Sequence, residues 1–146
     1  MNAGKLLGID HGVKRIGLAV CDESRLVARE LMVIKRKSKQ EDFALLKRIA
    51  EEQNVVGIVV GLPSNFDMPS GVYTQEDTVR LWTERFSATA DLPIAFWDEQ
   101  LSSEDAKALA RQKKRKLTDP IDDLAARIIL QSYLDALKDG IAPPIA

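Results

Sequence analysis

Only one of the 146 residues is a cysteine and only one is a histidine. A single cysteine, Cys21, excludes an intramolecular disulfide and any multi-cysteine zinc site, and reads as a small buried hydrophobe. With one histidine, His11, no convincing Ser/His/Asp or Cys/His set can be assembled, so covalent catalysis is not indicated. The pattern Gly-x4-Gly-Lys-Ser/Thr is missing, which removes the P-loop nucleotide sites. Aromatic residues are 5% of the chain and form no legible base-stacking set. No apolar run is long enough for a signal segment or a membrane span, so a soluble cytoplasmic protein without a membrane partner is expected. A net charge of -1 argues against a globally basic nucleic-acid binder.

What is present is the composition of an ordinary folded domain, 45% hydrophobic and 29% charged, and one domain over residues 1–146 is expected. Leu6 to Ile9, Ile16 to Val20 and Leu26 to Ile34 read as an antiparallel meander of three strands. Phe43, Leu46, Ile49 and Ala50 recur at helical spacing, and Val55 to Val60 is apolar at every position, as in a strand buried on both faces of a parallel sheet. Val72, Val79, Trp82 and Phe86 line a second helix, and Pro93 to Trp97 forms a fifth strand. Ser102 with Asp105 opens a third helix, and Asp119-Pro120 supplies an N-cap and first-turn proline for a fourth. The order βββαβαβαα predicts an α/β fold with a mixed five-stranded sheet and helices on both faces.

Charge is unevenly distributed. Lys35, Arg36, Lys37 and Lys39 form one basic run, and Arg111, Lys113, Lys114, Arg115 and Lys116 form another. The second run is expected to contact phosphates, against the simpler reading of a solvated loop.

Three acids require explanation. Asp10 ends the wholly apolar stretch Leu6 to Ile9, where it either meets a cation or simply starts a turn before His11-Gly12. Asp122 shares a helical line with Ala126, Ile129 and Tyr133, so it points inwards, while Asp123 turns towards the side bearing Arg127. As the third residue after an Asp119 cap, Asp122 could also serve only the helix dipole, but an acid on an apolar face needs a partner or a metal. Asp98 and Glu99 end the fifth strand, and the short alternation leaves open which of them faces inwards. Three acids from distant elements suit hard cations such as Mg2+ or Mn2+, two ions being expected, and hence phosphodiester hydrolysis. No side chain is apparent to compensate their crowding. His11 is expected on the opposite face from Asp10, without a role.

The stretches Gly8 to Gly17, Val59 to Pro63 with Asn65 and Asp67, Asp98 to Ser102, and Ile121-Asp122 with Ala126 and Ile128 to Tyr133 resemble, in that order, the YqgF family. Its members are pre-16S rRNA nucleases and Holliday-junction resolvase-like proteins of ribonuclease H-like fold. The resemblance implies that Asp10, Glu99 and Asp122 are the metal-binding catalytic set, choosing Glu99 over Asp98. It also implies nucleic-acid contacts for Lys14, Arg15 and Asn65. Gln100 stands where the family usually has Arg, removing a bidentate phosphate contact, and Met68 stands where it usually has Gly. A ribosomal RNA precursor is the favoured partner and a DNA four-way junction the alternative, for a monomer or homodimer.

Two other classes compete with this reading. Asp10, Gly12 and Gly17 also resemble the phosphate loop of sugar kinases and actin-like ATPases, but those proteins close two such domains around a nucleotide. A non-catalytic module would bind nucleic acid through the basic runs without cleaving it.

Overall fold

A computed structural model of the chain describes residues 4–63, 71–98, 108–116 and 119–145. Its first three strands, β1 (Lys5–His11), β2 (Arg15–Cys21) and β3 (Ala28–Lys35), form the expected meander. The β1–β2 turn closes through Gly12 N donating to the Arg15 carbonyl at 2.9 Å. Arg36 fastens it from outside, its Nη1 donating to the carbonyls of Gly12 (3.0 Å) and Val13 (3.3 Å). The third strand begins later than the hydrophobic pattern suggests. Leu26 and Val27 are exposed, because Asp22 Oδ1 accepts from the backbone of Leu26 and bends the chain there.

Helix α1 (Lys39–Glu52) starts at Ser38, whose side chain accepts from Glu41 N. Strand β4 (Val55–Leu62) then runs parallel to β1 and to β5 (Ile94–Asp98), giving the sheet order β3-β2-β1-β4-β5. Between them lies α2 (Gln75–Ser87), opened by a capping box of Thr74 and Asp77. Val72 therefore precedes this helix and is exposed, contrary to the apolar-stripe expectation. Residues 108–112 belong to α3, and α4 (Asp122–Lys138) completes the order.

Both faces of the sheet are covered, which is why β1 and β4 carry almost no polar positions. Leu7, Ile9, Ile16, Leu18, Ile58 and Val60 pack against Leu46, Trp82 and Phe86 of α1 and α2. Leu6, Ala19 and Val59 pack against Ala126, Ile129, Leu130 and Tyr133 of α4. The result is the expected mixed five-stranded α/β sheet with helices on both faces. No helix among the described residues is long and apolar enough to cross a membrane.

His11 lies on the α1/α2 side, as alternation requires, its ring 4.7 Å from that of Trp82. Burial, aided by the charge of Arg36, pushes its pKa down to about 4 from an ordinary 6.5. The folded state therefore holds His11 neutral over a range in which the unfolded chain takes up a proton. Stability should fall as pH drops from about 6.5 to about 4, by up to about 1.4 kcal/mol per pH unit and roughly 3 kcal/mol in all. Denaturant melts across this range should show that slope, and His11→Phe should flatten it.

Candidate active site

Alternation along β1 sends Leu7, Ile9 and His11 to the α1/α2 side, so Gly8 and Asp10 belong to the face covered by α4. Two glycines bring that helix unusually close. A Cβ on Gly8 would meet Leu130 Cβ at 2.9 Å and the Ala126 carbonyl at 3.2 Å. A Cβ on Gly17 would run into the carbonyl of Asp122. Gly17 is the cross-strand partner of Asp10. The first residue of α4 and the end of β1 thus meet at one end of the sheet, on one face, and this juxtaposition is the core of the site.

Asp122 is the first residue of α4, not its third. The N-cap is Ile121, with no side-chain cap, while Asp119 accepts from Lys116 N at 2.8 Å and shapes the preceding turn. The line through Ala126, Ile129 and Tyr133 is buried as expected, and Asp122 lies at its open end with its side chain 20% exposed. Arg15, the first residue of β2, donates from Nε to Asp122 Oδ2 at 2.9 Å. This corrects the expectation that no side chain compensates the acids.

Asp123 is the second correction. It is buried rather than turned outwards, and Arg115 grips it bidentately, Nη1 to Oδ1 at 2.7 Å and Nη2 to Oδ2 at 2.9 Å. The single-stripe reading failed because α4 is covered on a second flank, where Leu124 and Ala125 pack with Ala110 of α3. Arg127 lies elsewhere, on Glu30 of β3 at 3.1 Å.

The basic run is accordingly divided. Lys113 pairs with Glu30 at 2.8 Å, and burial works against the low pKa that Lys113 and Arg127 give that carboxyl. Arg115 serves Asp123. Arg111, Lys114 and Lys116 are exposed and make no ion pair with another described residue. Lys14 is exposed in the β1–β2 turn beside Arg15.

On β5, Trp97 is on the α4 side, its ring 5.5 Å from Tyr133 and its Nε1 donating to Ser132 Oγ. Phe96 packs on the other side, and alternation assigns Asp98 to that side as well. Asp98 is therefore off the face shared by Asp10 and Asp122. Glu99, Asn65, Met68 and Gln100 lie outside the described residues. Among the described residues no three His, Cys, Asp or Glu side chains gather into a metal-binding group. What is described is a pair of carboxylates whose hard oxygen donors fit an oxygen-ligated divalent cation, together with an arginine already engaged by one of them.

A family model described as "RuvX: Holliday junction resolvase" matches residues 4–136. Relatives in Cereibacter sphaeroides and Syntrophus aciditrophicus both carry the name "Putative pre-16S rRNA nuclease". The first is 41% identical over 138 residues, 92% of this chain and 85% of its own. The second is 36% identical over 142 residues, 95% and 93% of the two chains. Among solved structures, Thermus thermophilus RuvC in complex with Holliday junction substrate superposes with a TM-score of 0.62 at 18% identity, over 97% of this chain and 99% of that one. A Fowlpox virus resolvase in complex with Holliday junction DNA gives 0.57 at 12% identity, over 91% and 98%.

Two substitutions test the packing that builds the site. Asp123→Asn strands the partly buried Arg115 guanidinium and should cost roughly 2 kcal/mol, rather than being a silent control beside Asp122. Gly17→Ala must push the start of α4 off β2 and should cost about 1–3 kcal/mol. Thermal and urea melts read both losses; a change below about 0.5 kcal/mol at either position contradicts the packing described.

Proposed function

This chain belongs to the RuvX family, and from that membership we propose that it is a nuclease that hydrolyses phosphodiester bonds with divalent cations held by Asp10, Glu99 and Asp122. The observation that carries the reading is the meeting of Asp10, at the end of β1, with Asp122, at the start of α4, on one face of the sheet. Glu99 completes the set because Asp98 is assigned to the other face. Mg2+ or Mn2+ suits three carboxylates, and such ions supply an activated water and charge neutralisation at phosphorus. The carboxylates would hold the ions against the reacting phosphate, while the mouth of the site, bordered by Lys14 and Arg15, favours the anionic backbone. Cleavage by in-line attack leaves 5′-phosphate and 3′-hydroxyl ends.

The relatives' name supports precursor 16S rRNA, and 5′-end processing of that RNA is the reaction we assign. Such a substrate implies a cytoplasmic protein. The family description and the junction-bound structures of similar fold favour a DNA four-way junction as the second reading. Asn65 is assigned a substrate contact, and phosphate contacts along the basic run fall to Arg111, Lys114 and Lys116, which are exposed and not engaged by Glu30 or Asp123.

Incubating the protein with precursor rRNA, single-stranded RNA and a four-way junction, each with Mg2+, Mn2+ or chelator, decides among these substrates. Cleavage of the precursor at its 5′ end is expected, dependent on metal and abolished in folded Asp10→Asn and Asp122→Asn. Near wild-type cutting by either variant contradicts the acid assignment, and preferential junction cleavage selects the second reading. Neutralising Arg111, Lys114 and Lys116 together should flatten the dependence of log affinity on log salt by roughly 2 to 3 units. The change per neutralised residue should be smaller for Lys113 and Arg115, because those two are committed to Glu30 and Asp123.

A further inference from the structure

Arg15 occupies an oxygen that the proposed metal site needs. It opens β2 on the same face as Gly17, and its Nε donates to Asp122 Oδ2 at 2.9 Å across 107 positions of sequence. The contact of Gly17 with the start of α4 fixes the backbone of Asp122 beside β2, so its carboxylate stays within reach of the arginine. The arginine, by contrast, has room to move. Its side chain is 47% exposed, at the end of a hairpin whose tip carries the exposed Val13 and Lys14. The turn beneath it is held by Arg36, so release of Arg15 would leave the hairpin backbone anchored.

Building on the metal-site reading above, we propose that Arg15 is a displaceable counter-ion of Asp122: it holds the carboxylate while no metal is bound, yields it to a divalent cation, and turns out to a substrate phosphate. An oxygen that coordinates a cation cannot keep the same guanidinium hydrogen bond, and the two positive charges repel at that distance. A guanidinium in turn matches phosphate geometry well. Whichever ligand arrives first breaks the ion pair, and the second then binds without having to break it. Metal and nucleic acid consequently strengthen each other's binding by a factor equal to the strength of the pair, and the coupling is reciprocal.

A fixed structural pair makes the opposite prediction. If Arg15 merely orients Asp122 for the cation, removing it loosens the ligand and weakens metal binding. The sign of the change therefore separates the two roles, with a readout that is independent of cleavage.

The test is Mn2+ binding to the full chain, followed by the paramagnetic resonance of free Mn2+, for wild type, Arg15→Gln, Arg15→Lys and Asp122→Asn. Arg15→Gln should bind Mn2+ about three- to fivefold more tightly than wild type, the span of a partly exposed ion pair. Arg15→Lys should fall between them, and Asp122→Asn should bind far more weakly than all three. With a nuclease-resistant phosphorothioate junction, the gain in oligonucleotide affinity on adding Mn2+ should shrink in Arg15→Gln by the same factor. Equal or weaker Mn2+ binding by Arg15→Gln, with binding still dependent on Asp122, overturns the counter-ion role and leaves the metal site standing. Mn2+ binding that is indifferent to Asp122 overturns the metal site and the counter-ion role together.

Discussion

The close approach of α4 to the sheet is the constraint on which the rest depends. Packing a helix on a sheet ordinarily leaves room for side chains between the two backbones. Here Gly8 and Gly17 remove them, and the helix lies against the strands through its own backbone at Ala126 and Asp122. This contact sets the depth of α4, fixes where its first residue stands, and brings that residue to the strand end that carries Asp10. The apolar grip of Leu6, Ala19 and Val59 on Ile129, Leu130 and Tyr133 supplies the free energy, but the glycines set the geometry.

Charge is arranged in a second layer around that contact. Asp122 and Asp123 are neighbours in sequence and opposite in circumstance. The first opens on the site and is met by an exposed arginine; the second is enclosed and forked by Arg115. Glu30 of β3 collects Lys113 and Arg127, so the segment following α3 is tied to both the sheet and the helix. Two charges of the second basic run, Lys113 and Arg115, are thereby engaged in holding sheet and helix together.

The strongly periodic parts of the chain were legible from sequence. Val55 to Val60 is a buried parallel strand because both of its faces meet helices, and apolar residues at every position signal that without ambiguity. The meander and the two-sided covering follow from similar patterns. Errors arose where a local polar group outweighs periodicity. Asp22 bends the chain and delays β3, Thr74 with Asp77 starts α2 after Val72, and Asp119 shapes a turn instead of capping α4. The Thr74-x-x-Asp77 spacing is the sequence signal that marks the true start of α2. Asp123 could not have been placed from one helix alone, because its burial comes from Ala110 and Arg115, residues that reach it only through the tertiary fold. The pairing of Arg15 with Asp122 is non-local in the same sense.

That non-locality has a consequence for the order in which the protein acquires its chemistry. The meander β1–β3 is built from neighbouring segments and can pair early, whereas the carboxylate of Asp122 belongs to an element near the other end of the chain. During synthesis the first strands emerge well before α4 exists, and a nascent chain that carries Asp10 lacks the other carboxylates of the proposed metal site. Until the last helix is made and settles on Gly8 and Gly17, the polypeptide can fold a large part of its sheet while remaining chemically silent. Phosphodiester-cutting capacity would then appear only in finished molecules, a useful property for any nuclease that is born on an RNA machine.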